Sequence, residues 1–305
     1  MDRLISVKFF YSEKYELDLP KGHRFPAQKY ALLKDALIKE GILIKHNLVQ
    51  APKASDDQLL LAHSDAYIRS INDGTIEPSA MRRIGLPWTP QTPLRAKTTV
   101  GGALCAARTA LSHGISGMLA GGTHHAHFDF GAGYCVFNDF AVVARVLLHE
   151  SAASSVAIVD LDVHQGDGNA AILGGDDRVF ILSVHGEKNF PFRKFPSTLD
   201  VPLSDGTEDE PYLLALENAL DQVWDFQPDL ILYQAGVDPL VTDKLGRMAL
   251  TFEGLTSRDK MVLRGAKVRN IPVSMAIGGG YADPIEDSVT AYVNTYRVAK
   301  KLWNF

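Results

Sequence analysis

Residues 160–168 read DLDVHQGDG and follow the apolar run SSVAIV, so Asp160, Asp162, His164 and Asp167 crowd the end of a predicted buried strand. Four ionisable groups left unpaired in a low-dielectric site would cost on the order of several kcal/mol. A metal cation is the first candidate to offset that cost. Asp162 and His164 stand at i and i+2 past the strand end, and in an extended backbone both side chains leave the same face. Asp238, in AGVDP, follows another apolar run and could close the set. Two carboxylates and one imidazole leave open positions, which suits a catalytic divalent ion better than a closed structural site. The tandem His124-His125 can transfer protons, and a carboxylate on the far ring nitrogen of each would fix its tautomer and raise its basicity. Tyr281 follows three glycines. A phenol there could donate to a developing oxyanion from a backbone that glycine lets approach closely.

These residues share a pattern of placement. Unbroken apolar runs at 115–122, 155–162, 178–185, 229–236 and 271–280 predict strands, and their lack of alternation argues for a parallel sheet covered on both faces. Helical patterns at 92–113, 138–150, 210–226, 253–269 and 285–302 stand between and around them. The alternation predicts an α/β fold, a three-layer αβα sandwich with a mostly parallel central sheet. Each predicted strand runs into polar residues: His124-His125, the DLDVHQGDG stretch, Val184-His185, Val237-Asp238 and Gly278-Gly279-Gly280-Tyr281. In open α/β sheets ligands bind outside the carboxyl ends of the strands, so one convergent pocket is expected.

The 305 residues are 46% hydrophobic and 22% charged, enough to bury a large core, and no linker, charge block or repeat divides them. A single domain over 1–305 is expected. A net charge of −5 gives no reason to expect nucleic acid or an anionic membrane as partner. Cys105 and Cys135 are too few for a disulfide framework and suit a reducing compartment. The first twenty residues are interrupted by charges, unlike a signal peptide or membrane span, so a cytoplasmic location is expected.

The blocks GGTHHAHFDFGAGYCVFND, DLDVHQGDG, GVDPLVTDKLGRMALT and IGGGY resemble, in order and spacing, the signatures of zinc-dependent histone deacetylases and acetylpolyamine amidohydrolases. The resemblance covers roughly residues 20–300, and GHRFPAQKY, RRIGLPWTP and DKLGRMALT look most like the class IV deacetylases and their bacterial relatives. It implies an arginase-like fold, one Zn²⁺ on Asp162, His164 and Asp238, and hydrolysis of an acyl-amide on a lysine side chain of a protein or peptide, or on a small amine. It also implies that Asp160 pairs with His124 and Asp167 with His125, with His125 as general base then acid and His124 as an orienting, electrostatic group. Tyr281 corresponds to the catalytic tyrosine, and Gly133, Tyr134 and Phe190 to the walls of the acyl-lysine tunnel. Tyr134 departs from the more usual Phe and adds a hydroxyl to the channel. A structural monovalent cation, usually K⁺, is implied near Asp160, Asp162, His164, Ser183 and Val184, largely through carbonyl oxygens. His127 lies outside the matched positions and is expected at the surface.

Peptide-acting members often carry an acidic rim residue before the third helix; here that stretch reads MRRIGLPWTP, with Arg82, Arg83 and Trp88 and no acid. Short or non-histone substrates therefore stay open. Two rivals remain. A two-manganese ureohydrolase needs additional ligands where this chain has Gly166 and Gly236, and glycine offers none. A non-catalytic acyl-lysine reader would not require the histidine pair.

Overall fold

The computed structural model describes residues 7–13, 17 and 19–305. Eight strands form one sheet in the order β2-β1-β3-β8-β7-β4-β5-β6, and every pairing is parallel. The strands are β1 (Phe9–Tyr11), β2 (Leu48–Gln50), β3 (Ile115–Met118), β4 (Val156–Asp160), β5 (Val179–Gly186), β6 (Leu199–Leu203), β7 (Leu230–Gln234) and β8 (Val273–Ala276). The strands expected from the sequence are β3, β8, β7, β4 and β5, which lie side by side. All five are buried along their whole length, the condition under which continuous apolar runs arise. The edge strands LVQ and LDVPL are only half-buried, so their composition carries no such signal.

Helices α5 (Gln91–His113), α6 (Asp139–His149), α8 (Asp209–Phe226), α9 (Phe252–Val268) and α10 (Ile285–Trp303) match the expected ones to within a residue. Shorter helices were not expected: α1 (Lys29–Lys39), α2 (Asp56–Leu59), α3 (Asp65–Asp73), α4 (Pro78–Ile84) and α7 (Asp167–Leu173). Along β4, Val156 and Ile158 pack into the core that α5 and α6 cover, while Ala157 and Val159 pack into the opposite core with α8, α9 and α10. This is the three-layer αβα sandwich.

Four of the five expected strands end earlier than expected, while β5 runs one residue further, to Gly186. Residues 119–122, 161–162, 235–236 and 277–280 were assigned to strands but leave the sheet at its carboxyl edge. These are the segments that carry or flank the polar residues. Among the described residues, no helix is long and apolar enough to cross a membrane.

Candidate active site

The loops after β4, β7 and β8 are neighbours because those strands are neighbours: Asp160 pairs with Gln234, and Gln234 with Ala276. Potential ligand atoms of Asp162, His164 and Asp238 lie within 4.8 Å of one another, all buried. Nδ1 of His164 is 3.0 Å from Asp162 Oδ1 and 3.0 Å from Asp238 Oδ2. The convergence does not come from an extended backbone, as the i, i+2 spacing suggested. The chain bends after Asp160, and short side-chain bonds hold the bend: Asp162 N–H donates to Asp160 Oδ1, and His164 N–H to Asp162 Oδ1.

Backbone groups fix both carboxylates. Gly279 N–H donates to Asp162 Oδ2 at 2.6 Å and Val163 N–H to Asp238 Oδ1 at 2.8 Å. From the far face of the sheet, buried Arg258 on α9 donates to the carbonyls of Leu161 and Gly236, pinning the segments ahead of Asp162 and Asp238. Packing is so close that a Cβ on Gly236 would lie 2.5 Å from Asp162 Oδ2. The ligand position that a two-metal ureohydrolase needs there is therefore sterically closed as well as chemically empty. Burial and the adjacent Asp162 push Asp238 up to about 7. Burial opposes charge on His164 too, but the two carboxylates outweigh it and raise the imidazole to about 10. Two buried carboxylates in mutual repulsion around one imidazole form a donor set that a divalent cation would neutralise. The residues present fit such an ion.

Beside this cluster His124 Nδ1 lies 2.8 Å from Asp160 Oδ2, and His125 Nδ1 lies 2.7 Å from Asp167 Oδ1. The environments of the two rings push them apart. Burial and the neighbouring His124 lower His125 to about 4. His124 resists the same burial because Asp160 and Asp162 raise it to about 9. A neutral His125 that donates through Nδ1 to Asp167 keeps an Nε2 lone pair. The surface expectation for His127 is corrected: the ring is buried, stacks on Phe130 at 4.3 Å and meets the other oxygen of Asp167 at 2.9 Å. Two imidazoles thus share one carboxylate, and despite the burial they hold Asp167 well below the usual carboxylate range.

Above the cluster opens a cavity of about 500 Å³, bordered by His124, His125, Asp162, His164, Gly133, Tyr134, Phe190 and Tyr281. Gly133 adopts φ +53°, and a Cβ there would meet the rings of His125 and Phe190 at 2.6 and 3.1 Å. A side chain at that position would close the channel between them. Tyr134 is itself in the left-handed region, at φ 67°, held by its N–H to Ile84 carbonyl at 2.7 Å. Its ring stands 6.1 Å from Tyr281, and the Phe190 ring 4.9 Å from His125. Burial, with Asp162 and Asp238 near, pushes the Tyr281 phenol well above its ordinary value, so it stays a donor.

Three supporting residues were missed in the sequence. Lys29, buried at the start of α1, donates to the carbonyls of Gly278 and Gly280 and to Tyr292 Oη at 3.2–3.3 Å. Its position on one stripe with buried Leu33 and Leu37 was a usable signal. Asp243 accepts the backbone N–H of Tyr281 at 2.6 Å. His63 bridges the His127 carbonyl and the Asn138 amide, linking the two arms of the loop that runs from His124 to Asn138. Of the expected monovalent-cation residues, Asp160 is the register partner of Ser183 on β5, and Val184 follows it, all buried. His185 turns to Ser183 Oγ at 3.0 Å, and burial lowers it to about 4.

This geometry has relatives. The chain is 40% identical over 294 residues to an uncharacterised protein of Picosynechococcus sp., covering 96% of this chain and 98% of that one. It is 33% identical over 304 residues to histone deacetylase 2 of Arabidopsis thaliana, covering 94% of this chain and 78% of the relative. The fold superposes on the crystal structure of an HDAC homolog complexed with SAHA with TM-score 0.80 at 24% identity, over 98% of this chain and 88% of that chain. The αβα sandwich is thus arginase/deacetylase-like. The sequence model for the histone deacetylase domain matches residues 23–296, nearly the whole chain. The protein belongs to the histone deacetylase family, hydrolases that act on amides.

Proposed function

We propose that residues 1–305 form one catalytic domain that removes an acyl group, acetyl or longer, from the amine of a lysine side chain or a related small amine, with one Zn²⁺ held by Asp162, His164 and Asp238. The observation that carries this reading is the juxtaposition of that donor set with the His125–Asp167 pair at 2.7 Å. When bound, the metal supplies a Lewis acid and lowers the pKa of water.

The chain's own residues do the rest. His125 Nε2, with Nδ1–H anchored on Asp167, takes the proton of the attacking water as the new C–O bond forms. The same nitrogen returns it to the amine nitrogen as the C–N bond breaks, leaving a carboxylic acid and a free amine. His124, tied to Asp160, adds positive potential beside the reacting centre. Tyr281 donates its hydroxyl to the oxyanion developing on the substrate carbonyl. Tyr134, Phe190 and Gly133 bound a narrow channel that aligns an extended acyl-amine chain. Asp160, Asp162, His164, Ser183 and Val184 are read as the cradle of a structural K⁺, supported by their burial and by the Asp160–Ser183 register.

The test is chelation followed by metal titration. Stripped protein should lose hydrolysis of an acetyl-lysine peptide and regain it at one Zn²⁺ per chain, with Asp162→Ala, His164→Ala and Asp238→Ala each losing metal and activity together. Full activity after exhaustive metal removal, or two tightly held transition ions per chain, would overturn it.

A further inference from the structure

The mouth of the cavity is cationic. Arg24 before α1, Arg83 near the end of α4, Lys188 after β5 and Arg247 ahead of α9 all border it, and all four are exposed while the histidines at its base are buried. Four separate loops or helix ends therefore bring positive charge to one rim. The sole carboxylate among the described residues bordering the cavity is Asp162, at the bottom in the donor set. Arg247 meets exposed Asp205 at 3.2 Å. Among the described residues, Arg24, Arg83 and Lys188 have no carboxylate within ion-pair distance, and Arg83 lies over the ring of Phe130 at 4.6 Å. The charge stands out on a chain whose net charge is −5. Arg24 and the tunnel-wall residue Tyr134 border the same cavity.

A surplus of like charge around an opening of low-dielectric walls focuses the field and raises the local concentration of oppositely charged groups. With the scissile carbonyl at the base of the tunnel, the group that carries the amine emerges at this rim. Resting on the deacylase reading above, we propose that the amine carrier of the substrate is anionic, presenting a carboxylate to Arg24, Arg83 and Lys188. That carboxylate is either the free α-carboxylate of an acylated amino acid or an acidic side chain flanking an acylated lysine. An acetylpolyamine, cationic along its length, meets repulsion at the same rim.

The experiment measures kcat/KM for two substrate pairs at low salt: free Nα-blocked Nε-acetyl-lysine against its C-terminal amide, and an acetyl-lysine peptide flanked by Glu against one flanked by Lys. The expected result is a preference of about tenfold for the anionic member of at least one pair, which identifies the source of the carboxylate. The preference should shrink toward unity near about 0.5 M salt. In the double variant Arg24→Glu/Lys188→Glu the ratio should fall to one or invert. Both residues are exposed, so the fold is not at stake. Ratios within about twofold of one in both pairs, or a preference that survives the double variant, overturn the proposal. Failure to hydrolyse any of the four substrates would instead overturn the deacylase reading on which it rests, and the proposal with it.

Discussion

The ammonium of Lys29 lies 5.0 Å from the ring centroid of Tyr281, and two of its three hydrogen bonds go to the carbonyls of Gly278 and Gly280 that bracket the turn leading into that tyrosine, the third to Tyr292 Oη. Burial lowers this lysine to about 8, against the pull of Asp238 and Asp162. On the proposed reading, Lys29 would act on the reaction through Tyr281, as a positioning residue. Lys29→Met keeps the volume but removes the donor to the Gly280 carbonyl, while Gly278 keeps the Tyr292 hydroxyl, costing roughly 1–3 kcal/mol of stability. It should also lower kcat by up to about 10²-fold with KM little changed, since the phenol is then misplaced. Lys29→Arg should restore most of kcat. Equal kcat in folded Lys29→Met and wild-type protein would reduce Lys29 to a structural role.

Tyr281→Phe removes only a hydroxyl. If the hydroxyl meets the developing oxyanion, kcat should fall about 10²- to 10³-fold, as for other single donors of this kind. Metal content, measured by elemental analysis, should not change. A normal kcat in the metal-loaded variant removes Tyr281 from the chemistry.

His125→Ala should lower kcat by about 10²- to 10⁴-fold while the metal stays bound, because His125 is outside the donor set. Asp167→Asn should produce a milder loss, since the imidazole remains but its tautomer and orientation are no longer fixed. A His125→Ala protein with near wild-type kcat would show that another group is the base.

His63 gives a stability prediction with a defined sign. Burial lowers it to about 4, and in the fold its ring accepts from Asn138 N–H while bonding the His127 carbonyl, which fits only the neutral form. An unfolded histidine titrates near about 6.5. Between those values the unfolded chain binds more protons, so this contribution is fully present above about pH 6.5 and is lost as pH falls towards 4, by roughly 3 kcal/mol. Urea midpoints across this range should show a shallower acid slope in His63→Gln than in wild type. Identical slopes would show that His63 is not the responsible group.

The sequence was most legible where physics forces contrast. Strands β4, β7 and β8 are buried throughout and mostly apolar, so Asp160, Asp238 and Tyr281 stood out at or just past their ends, and strand adjacency then brought them together. Asp243 and His63 were not legible because their partners are backbone groups, and Lys29 showed only through its place on the buried stripe of α1. Lys29 reaches carbonyls some 250 positions away, from Gly278 and Gly280, and no side-chain type at those positions announces a need for a cation. The burial of His127 is hidden in the sequence for a related reason: its partner Asp167 also holds His125, and a carboxylate has two oxygens. The edge strands escaped because half-burial leaves them the composition of loops.

The contact between the Gly236 backbone and the Asp162 carboxylate bears on how such a protein can change over time. On the proposed one-metal reading, a single exchange at 236 would press a side chain against the Asp162 carboxylate before it could serve a second ion. The rim loops carry no such constraint, since Arg24 and Lys188 are exposed and touch none of the reacting groups. Substrate range is thus free to drift while the reaction type is locked, and a library randomised at 236 should return metal-binding clones only as glycine.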